Sequence, residues 1–196
     1  MAFFEQKVVY NNIQKRGNML INLCKNKKVL HVGCADWPIF NINNNLHYVL
    51  SKHIEQLDGY DINIEEISKM KKLKEFENLP IYSILPETKY DVILIPEVIE
   101  HVNNVEQFIS QFSNLLNDDG IIYVSGPNAF CKIHMERNKK IKNNEFLEIV
   151  HPDHNCWYSL YTLPNTIKKC VPNSEIKEIG LIEFETMVYV IYKIQK

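Results

Sequence analysis

Two carboxylates and one imidazole fall within five residues, directly after the most apolar strand pattern of the chain. Glu97, Glu100 and His101 follow the run Val92–Ile95. Glu97 and His101 are four residues apart, so on a helical turn their side chains would share a face. Imidazole has an ordinary pKa close to neutral, so His101 is the best candidate for a general base. A buried histidine held by a neighbouring carboxylate is the alternative that the sequence leaves open.

Two further positions end strand patterns and could contact a ligand. Gly33 closes the run Val29–Val32, where a glycine lets the chain turn sharply and approach a ligand closely. Asp61 ends the next pattern, where a carboxylate can accept hydrogen bonds from both hydroxyls of a ribose. An ordinary loop glycine and a helix-capping aspartate are the alternatives at these positions.

The elements that position these residues alternate between strand and helix patterns. Near-continuous apolar strands that alternate with helices predict an α/β fold, with a parallel sheet covered on both faces. Ligands of such sheets lie at the carboxyl ends of the strands. Strands are expected at 29–32, 57–61, 79–84, 90–95, 121–125, 175–183 and 186–194, the last two antiparallel. Helices are expected at 3–24, 45–56, from 64 onward, at 104–116 and at 159–170.

Composition excludes several classes of protein. The chain has 22 Lys and Arg against 24 Asp and Glu, whereas a protein that binds nucleic acid over its whole surface would be strongly basic. Its apolar runs are far shorter than the roughly 18 residues of a membrane span, and no signal peptide is recognised. The five cysteines are odd in number and widely spaced, which indicates reduced thiols and a cytoplasmic protein.

We expect residues 1–196 to form one domain. An N-terminal helical segment would occupy 1–25. The polar, basic stretch 130–157 lacks periodicity and is interpreted as a lid-like insertion. We expect a monomer or a homodimer.

The segment between Tyr90 and Asn128 resembles class I S-adenosylmethionine-dependent methyltransferases. Its runs Tyr90-Asp91-Val92-Ile93, Glu97-Val98-Ile99-Glu100-His101-Val102 and Ser125-Gly126-Pro127-Asn128 are similar to the family's "fDvv", "EvlEHv" and "vPN" motifs. The resemblance implies a Rossmann-like, doubly wound, seven-stranded sheet that is mostly parallel, with the last strand antiparallel. It also implies S-adenosyl-L-methionine as the cofactor.

The same resemblance implies roles for individual residues. The loop of Gly33, Cys34 and Ala35 would lie under the methionine part of the cofactor. The acid that the family has near the third strand is missing here, where Ser83 and Ile84 stand, and Asp36 could compensate by meeting the cofactor's amino group. Asp61 would hold the ribose hydroxyls. The other implied contacts are Ile62 and Ile84 at the adenine, Pro96 and Glu97 at the sulfonium end, and His101 at the acceptor.

The loop after the first strand departs from the family's pattern. His31 stands where the family usually has an acidic residue, and Ala35 and Trp37 stand where it has glycines. These departures favour an alternative in which the protein is a non-catalytic, methyltransferase-like binding subunit.

The segment His151–Leu160 is similar to the "DHvrwys…tL" segment of methyltransferases from sugar and surface-polysaccharide pathways. That likeness implies that His154 and Tyr158 border the acceptor pocket. The basic run between Lys132 and Lys142 could clamp a phosphate-bearing acceptor such as a nucleotide sugar, although most such runs are solvated faces.

The expected reaction is methyl transfer to an oxygen, or a nitrogen, of a polar small molecule. The candidate catalytic residues are His101, His154 and Glu97. RNA methylation is a further alternative, but no aromatic residues interleave with the basic ones, so a nucleic-acid partner is not expected.

Two pairs of residues have the spacing of metal ligands. Cys131 with His134, and His151 with His154, could supply four zinc ligands. Both pairs lie in the loop-rich insertion, and the first is loosely spaced for a zinc finger. We therefore expect no metal site and assign these histidines a structural or acceptor-facing role.

Overall fold

A computed structural model describes residues 4–141 and 144–195. Its strands are β1 (Asn11–Ile13), β2 (Lys28–Val32), β3 (Gln56–Tyr60), β4 (Ile81–Tyr82), β5 (Tyr90–Pro96), β6 (Leu116–Pro127), β7 (Lys139–Lys140), β8 (Phe146–Leu147), β9 (Ser174–Ile182) and β10 (Met187–Ile194). Its helices are α1 (Arg16–Cys24), α2 (Leu46–Ser51), α3 (Ile64–Met70), α4 (Val105–Ser113), α5 (Lys132–Arg137) and α6 (Thr162–Cys170). No helix in this described part of the chain is long and apolar enough to cross a membrane.

Within these ranges, eight strands form one sheet in the order β1-β9-β10-β6-β5-β2-β3-β4, and β7 pairs with β8 separately. Every neighbouring pair in the large sheet is parallel except the two that involve β10, which runs antiparallel to both β6 and β9. The expected mostly parallel sheet with an antiparallel last strand is therefore confirmed. The expected strand number of seven is one too low, because β1 adds to the edge beside β9.

The N-terminal segment corrects the expectation of a helix over 1–25. The helix α1 begins only at Arg16, and Asn11–Ile13 is extended. Asparagine is a poor helix former, while an edge strand such as β9 offers unpaired backbone groups to an added strand. The Asn11 side chain donates to Glu178 Oε1 at 3.0 Å, which supports the pairing. Residues 1–3 of that expectation lie outside the described residues.

Helices cover both faces of the sheet, as the strand patterns predicted. Successive side chains of a strand point to opposite faces, and β5 follows this rule. Ile93 and Ile95 pack in one apolar cluster with residues of α4 and α6, whereas Val92 and Leu94 pack in another with residues of α1 and α2. Because β5 is buried on both faces, its sequence is continuously apolar rather than alternating.

A buried pair of histidines joins β2 to α2 near the carboxyl ends of the strands. His31 Nδ1 and His47 Nδ1 lie 3.2 Å apart, so one neutral ring must donate a hydrogen bond and the other must accept it. Burial lowers the pKa of both rings, to about 4 for His47, and the proximity of His47 lowers the pKa of His31 further. Protonation of either ring is therefore disfavoured in the folded protein.

We predict that this pair makes the free energy of unfolding fall as the pH falls. The unfolded His47 takes up its proton near pH 6.5 and the folded one near pH 4, so the unfolded state binds more protons between those values. The unfolding free energy of the wild type, measured in urea relative to His47→Leu, should decrease by about 1.4 kcal/mol per pH unit in that window.

Taking the difference between the two proteins removes the contribution of titrating groups outside the His31–His47 pair. The exposed His53 provides the control, because His53→Leu should leave the pH dependence unchanged. A difference between wild type and His47→Leu that is flat from pH 7 to pH 4 would contradict the burial of a neutral ring.

Candidate functional site

The carboxyl ends of β2, β3 and β5 enclose two adjoining cavities of about 450 Å³ and 490 Å³. Residues that line both are Gly33, Ala35, Glu97 and His101. The first cavity is also lined by Arg16, His31, Cys34, Asp36, Trp37, Asn45, Leu46, His47, Glu66, Pro96 and His151. The second is also lined by Val32, Tyr60, Asp61, Ile62, Val98, Val102, Asn103, Phe108 and Gln111. The two cavities together form one two-lobed cleft at the sheet edge where the strand ends were expected to converge.

Gly33 makes the turn between the lobes, and only glycine fits there. Its φ is 71°, and a Cβ at this position would lie 2.3 Å from Val98 Cγ2. Its N–H donates to the Tyr60 carbonyl at 2.8 Å, which bends the end of β2 towards β3. The missing side chain leaves the backbone exposed to the cleft.

Asp61 connects that loop to the end of β3. Its Oδ2 accepts a hydrogen bond from the Ala35 N–H at 3.0 Å, and its Oδ1 accepts one from the Asn63 N–H at 2.9 Å. A carboxylate has about four acceptor positions, so two remain for hydroxyl groups in the second cavity. The structure thus brings Gly33, Ala35 and Asp61 together, as expected.

The two isoleucines expected at an adenine are placed differently. Ile62 is 80% exposed and lines the second cavity. Ile84 is 83% exposed and is not among the residues that line either cavity. Phe108, at the start of α4, does line the second cavity, with its ring centroid 4.9 Å from that of Phe112. No pattern in the sequence predicts that Phe108 reaches the cleft.

Glu97 is held in a backbone conformation that side chains rarely adopt. Its φ is 53°. Its Oε1 accepts a hydrogen bond from Ser125 Oγ at 2.7 Å, and its N–H donates to the Ser125 carbonyl at 3.1 Å. Burial raises the pKa of Glu97, although the bond from Ser125 and the nearby Arg16 oppose that rise. Such a conformation costs about 1–3 kcal/mol and is concentrated at functional sites.

His101 faces both lobes and meets two other histidines. Its ring centroid lies 4.7 Å from that of His154 and 5.5 Å from that of His151. Burial is the main cause that lowers the pKa of His101 and of His154, and neighbouring histidines lower both further. The structure therefore brings together the two predicted catalytic histidines and adds His151.

Glu100 lies under this group of histidines. Its side chain is buried, and burial followed by the nearby Glu97 raises its pKa to about 8. Its Oε1 is 3.9 Å from His154 Nε2, and its Oε2 has no hydrogen-bond partner within the described residues.

Sequence reasoning missed three polar residues in the first cavity. Arg16 brings the one permanent positive charge among the described residues that line this cavity. Asn45 Nδ2 and His47 Nε2 are buried without a hydrogen-bond partner in the described part of the chain. Unpartnered buried polar atoms in a cavity lining indicate room for a polar ligand. No sequence signal links α1 and α2 to the strand ends, so these residues were not identified.

Other residues of the first cavity lie where the resemblance implied. Asp36 and Pro96 both line it. Cys34 lines it too, and burial raises the pKa of its thiol well above the ordinary value, so the thiol stays protonated. The four-ligand zinc arrangement does not form: His151 and His154 group with His101, while the His134 ring packs against Trp157 at 4.8 Å.

The family model and the curated relatives that match this chain are all methyltransferases. Residues 12–169 match the family model described as a methyltransferase domain. The chain is 30% identical over 115 residues to a ubiquinone biosynthesis O-methyltransferase of Pelagibacter ubique (strain HTCC1062), a match that covers 57% of this chain and 46% of that protein. The chain thus spans about half the length of this curated relative.

Solved structures show the same fold at low sequence identity. A S-adenosylmethionine-dependent methyltransferase from Clostridium acetobutylicum ATCC 824 superposes with a TM-score of 0.65 at 11% identity, covering 92% of this chain and 91% of the other. The glycopeptide N-methyltransferase MtfA, complexed with S-adenosyl-L-methionine, superposes with a TM-score of 0.64 at 8% identity, covering 92% and 86%. The Rossmann-like architecture is therefore confirmed.

The Gly33 turn generates a prediction about stability. Gly33→Ala should lower the free energy of unfolding by about 2 kcal/mol, because it combines a positive φ with the Val98 overlap. In a Val98→Ala background the same substitution should cost only about 1 kcal/mol, since the overlap is relieved and the φ strain remains. Urea unfolding of the four proteins measures this coupling, and an equal cost in both backgrounds would contradict the packing described for this turn.

Proposed function

The chain belongs to the methyltransferase domain family, and from that premise we propose that it transfers a methyl group from S-adenosyl-L-methionine to an oxygen or nitrogen of a small polar molecule. The observation that carries this proposal is the Asp61 carboxylate at the end of β3. It holds the Gly33–Ala35 loop and keeps acceptor positions beside a cavity with aromatic and aliphatic walls. A nucleoside needs this combination of a carboxylate for its ribose and apolar surface for its base.

The second cavity suits the adenosine end of the cofactor. Asp61 would hold the ribose hydroxyls, and Ile62, Tyr60 and Phe108 would pack on the base. Because Ile84 lies outside both cavities, we assign the adenine contact to Ile62 and the aromatic rings in its place.

The first cavity suits the amino-acid end. Arg16 would pair with the carboxylate and Asp36 with the amino group, while Gly33, Cys34 and Ala35 would provide the backbone beneath. The unpartnered polar atoms of the Asn45 and His47 side chains add hydrogen-bonding capacity there.

The two lobes meet at Glu97, which lines both, and the neighbouring Pro96 lines the first. The cofactor supplies a methyl group on a positively charged sulfur, which an oxygen or nitrogen with a free electron pair can attack. A half-buried carboxylate at the junction, fixed by Ser125, would offer preorganised negative charge to that sulfur. We therefore propose that Glu97 positions the sulfur of the cofactor and stabilises its positive charge.

A hydroxyl acceptor must also lose its proton. His101 lines both lobes and is neutral at neutral pH, because burial lowers its pKa. His154 is in ring contact with it. Proton removal by such a group contributes about 10²–10⁴-fold to a rate. We propose that the acceptor binds against these two histidines.

Within polar acceptors, we favour a sugar, a nucleotide sugar or a phosphorylated polysaccharide precursor. Segment 130–157 carries the exposed Lys132 and Arg137, and its His154 packs against the His101 ring. Lys142, at the end of the expected basic run, lies outside the described residues. Basic side chains on the segment that carries His154 could pair with a phosphate group of the acceptor. A screen of phosphorylated sugars and nucleotide sugars for formation of S-adenosylhomocysteine tests this class.

A non-catalytic binding subunit is the second candidate. The observation that favours it is Trp37, which lines the first cavity where the family has glycine and so narrows the space for a ligand. Calorimetry with S-adenosyl-L-methionine distinguishes the two, because the binding-subunit hypothesis expects no heat of binding. RNA methylation, the third candidate, expects RNA binding that weakens steeply with salt.

Paired substitutions test the division between cofactor and acceptor. Asp61→Ala should weaken the binding of S-adenosyl-L-methionine at least about tenfold in calorimetry, because the ribose loses its acceptor. His101→Ala should leave that affinity within about threefold and lower turnover about 10²-fold or more.

The exposed Asp119 provides a matched control, and Asp119→Ala should change neither quantity. Thermal unfolding of each variant shows whether it is folded. A folded Asp61→Ala protein with unchanged cofactor affinity would remove the ribose assignment.

A further inference from the structure

We propose that His101, His151 and His154 form a binding site for one divalent transition-metal ion, best suited to zinc, beside the first cavity. This site revises the expectation of no metal. It differs from the two-pair zinc arrangement because it omits Cys131 and His134 and includes His101, which lies outside segment 130–157. His101 ends the turn that follows β5, whereas His151 and His154 belong to segment 130–157.

The geometry of the three rings suits a single ion. One candidate ligand atom from each residue lies within 4.8 Å of the other two. Three imidazole nitrogens on one zinc ion, each about 2.0–2.1 Å from it, lie about 3.3 Å apart in tetrahedral geometry. Small ring rotations would close that gap, and the exposed His151 is the ring most free to make them. His151 and His101 also line the cavity, so an ion there would be reachable from it.

The His154 ring lies beside a buried carboxyl group that could serve as the second-nitrogen partner of a metal ligand after a small shift. Its Nε2 lies 3.9 Å from Glu100 Oε1, and its buried Nδ1 has no hydrogen-bond partner within the described residues. Metal-bound histidines usually direct their second ring nitrogen to a carboxylate, which fixes the ring and raises its basicity. Glu100 Oε1 would accept the Nε2 proton of His154 and leave Nδ1 for the ion.

Backbone contacts hold the two segments together in this register. The Asn155 N–H donates to the Glu100 carbonyl at 2.7 Å, and the Asn155 side chain donates to the His101 carbonyl at 3.1 Å. The His154 N–H donates to the His151 carbonyl at 3.0 Å, which closes a turn that places both rings on the same side. The site is therefore built by the fold and does not depend on chance proximity of surface side chains.

The ligand set selects the class of ion. Imidazole nitrogen suits zinc and its neighbours in the transition series, whereas magnesium and calcium prefer oxygen ligands. Three protein ligands leave a fourth tetrahedral position open, as in catalytic zinc sites. If the proposed function holds, on which this step rests, an acceptor hydroxyl could bind at that position and lose its proton to solvent water more easily. With the ion bound, His101 would act on the acceptor through the metal, and direct proton removal by His101 would apply to the metal-free protein.

Metal titration of the whole, tag-free protein tests the site without cofactor or acceptor. Protein stripped with a chelator is titrated with Co²⁺, whose visible absorption reports tetrahedral coordination, and then with Zn²⁺ in calorimetry. We expect one equivalent of each ion and a thermal midpoint that rises with Zn²⁺ concentration. His151→Ala should weaken binding by about 100-fold or more, and Glu100→Gln by about 10–100-fold.

The matched control is His53→Ala, which removes an exposed histidine outside the group and should leave the affinity unchanged. Because His151 is exposed, its replacement should leave the fold intact, and thermal unfolding checks this. Absence of saturable binding, binding that survives His151→Ala, or a preference for Mg²⁺ would each overturn the site.

A separate titration with S-adenosyl-L-methionine keeps this proposal distinct from the proposed function. Zinc binding without cofactor binding would support the metal site and reject the methyltransferase proposal. Cofactor binding without zinc binding would reject the metal site and support the methyltransferase proposal.

Discussion

The hydrogen bond from the Ala35 N–H to the Asp61 carboxylate is the contact on which the cleft depends. It fixes the loop after β2 against the end of β3, and the Gly33 turn makes that approach possible. The two cavities lie on either side of this contact. The Asp61 carboxylate both fixes the shape of the cleft and offers hydrogen-bond acceptors to a ligand. Its removal would therefore change the loop geometry and the binding of the ligand together.

The sheet was largely predictable from the sequence because burial on both faces restricts which residues its central strands can contain. A strand buried on both faces must be apolar throughout, as β5 is, and alternation with helices then requires parallel pairing. The eighth strand was not predictable in the same way. Asn11–Ile13 is polar and short, and its extended form depends on an edge that β9 provides from the far end of the chain.

The residues of the site also differ in how far the sequence predicts them. Gly33, Asp61, Glu97 and His101 follow strands directly, so their convergence follows from the topology alone. Arg16 and His47 reach the cleft from helices, and Ile84 fails to reach it because β4 ends at Tyr82. His151 joins His101 through the Asn155 contacts, which are tertiary and leave no local pattern in the sequence. Residues brought by long-range contacts are therefore those that sequence reasoning missed or misplaced.

A crystal structure of the protein with S-adenosylhomocysteine would test the central claim most directly. The account predicts both ribose hydroxyls on the Asp61 carboxylate, the base in the second cavity, and the sulfur at the junction beside Glu97. A nucleoside bound elsewhere, or a first cavity closed by Trp37 with the ligand excluded, would contradict it.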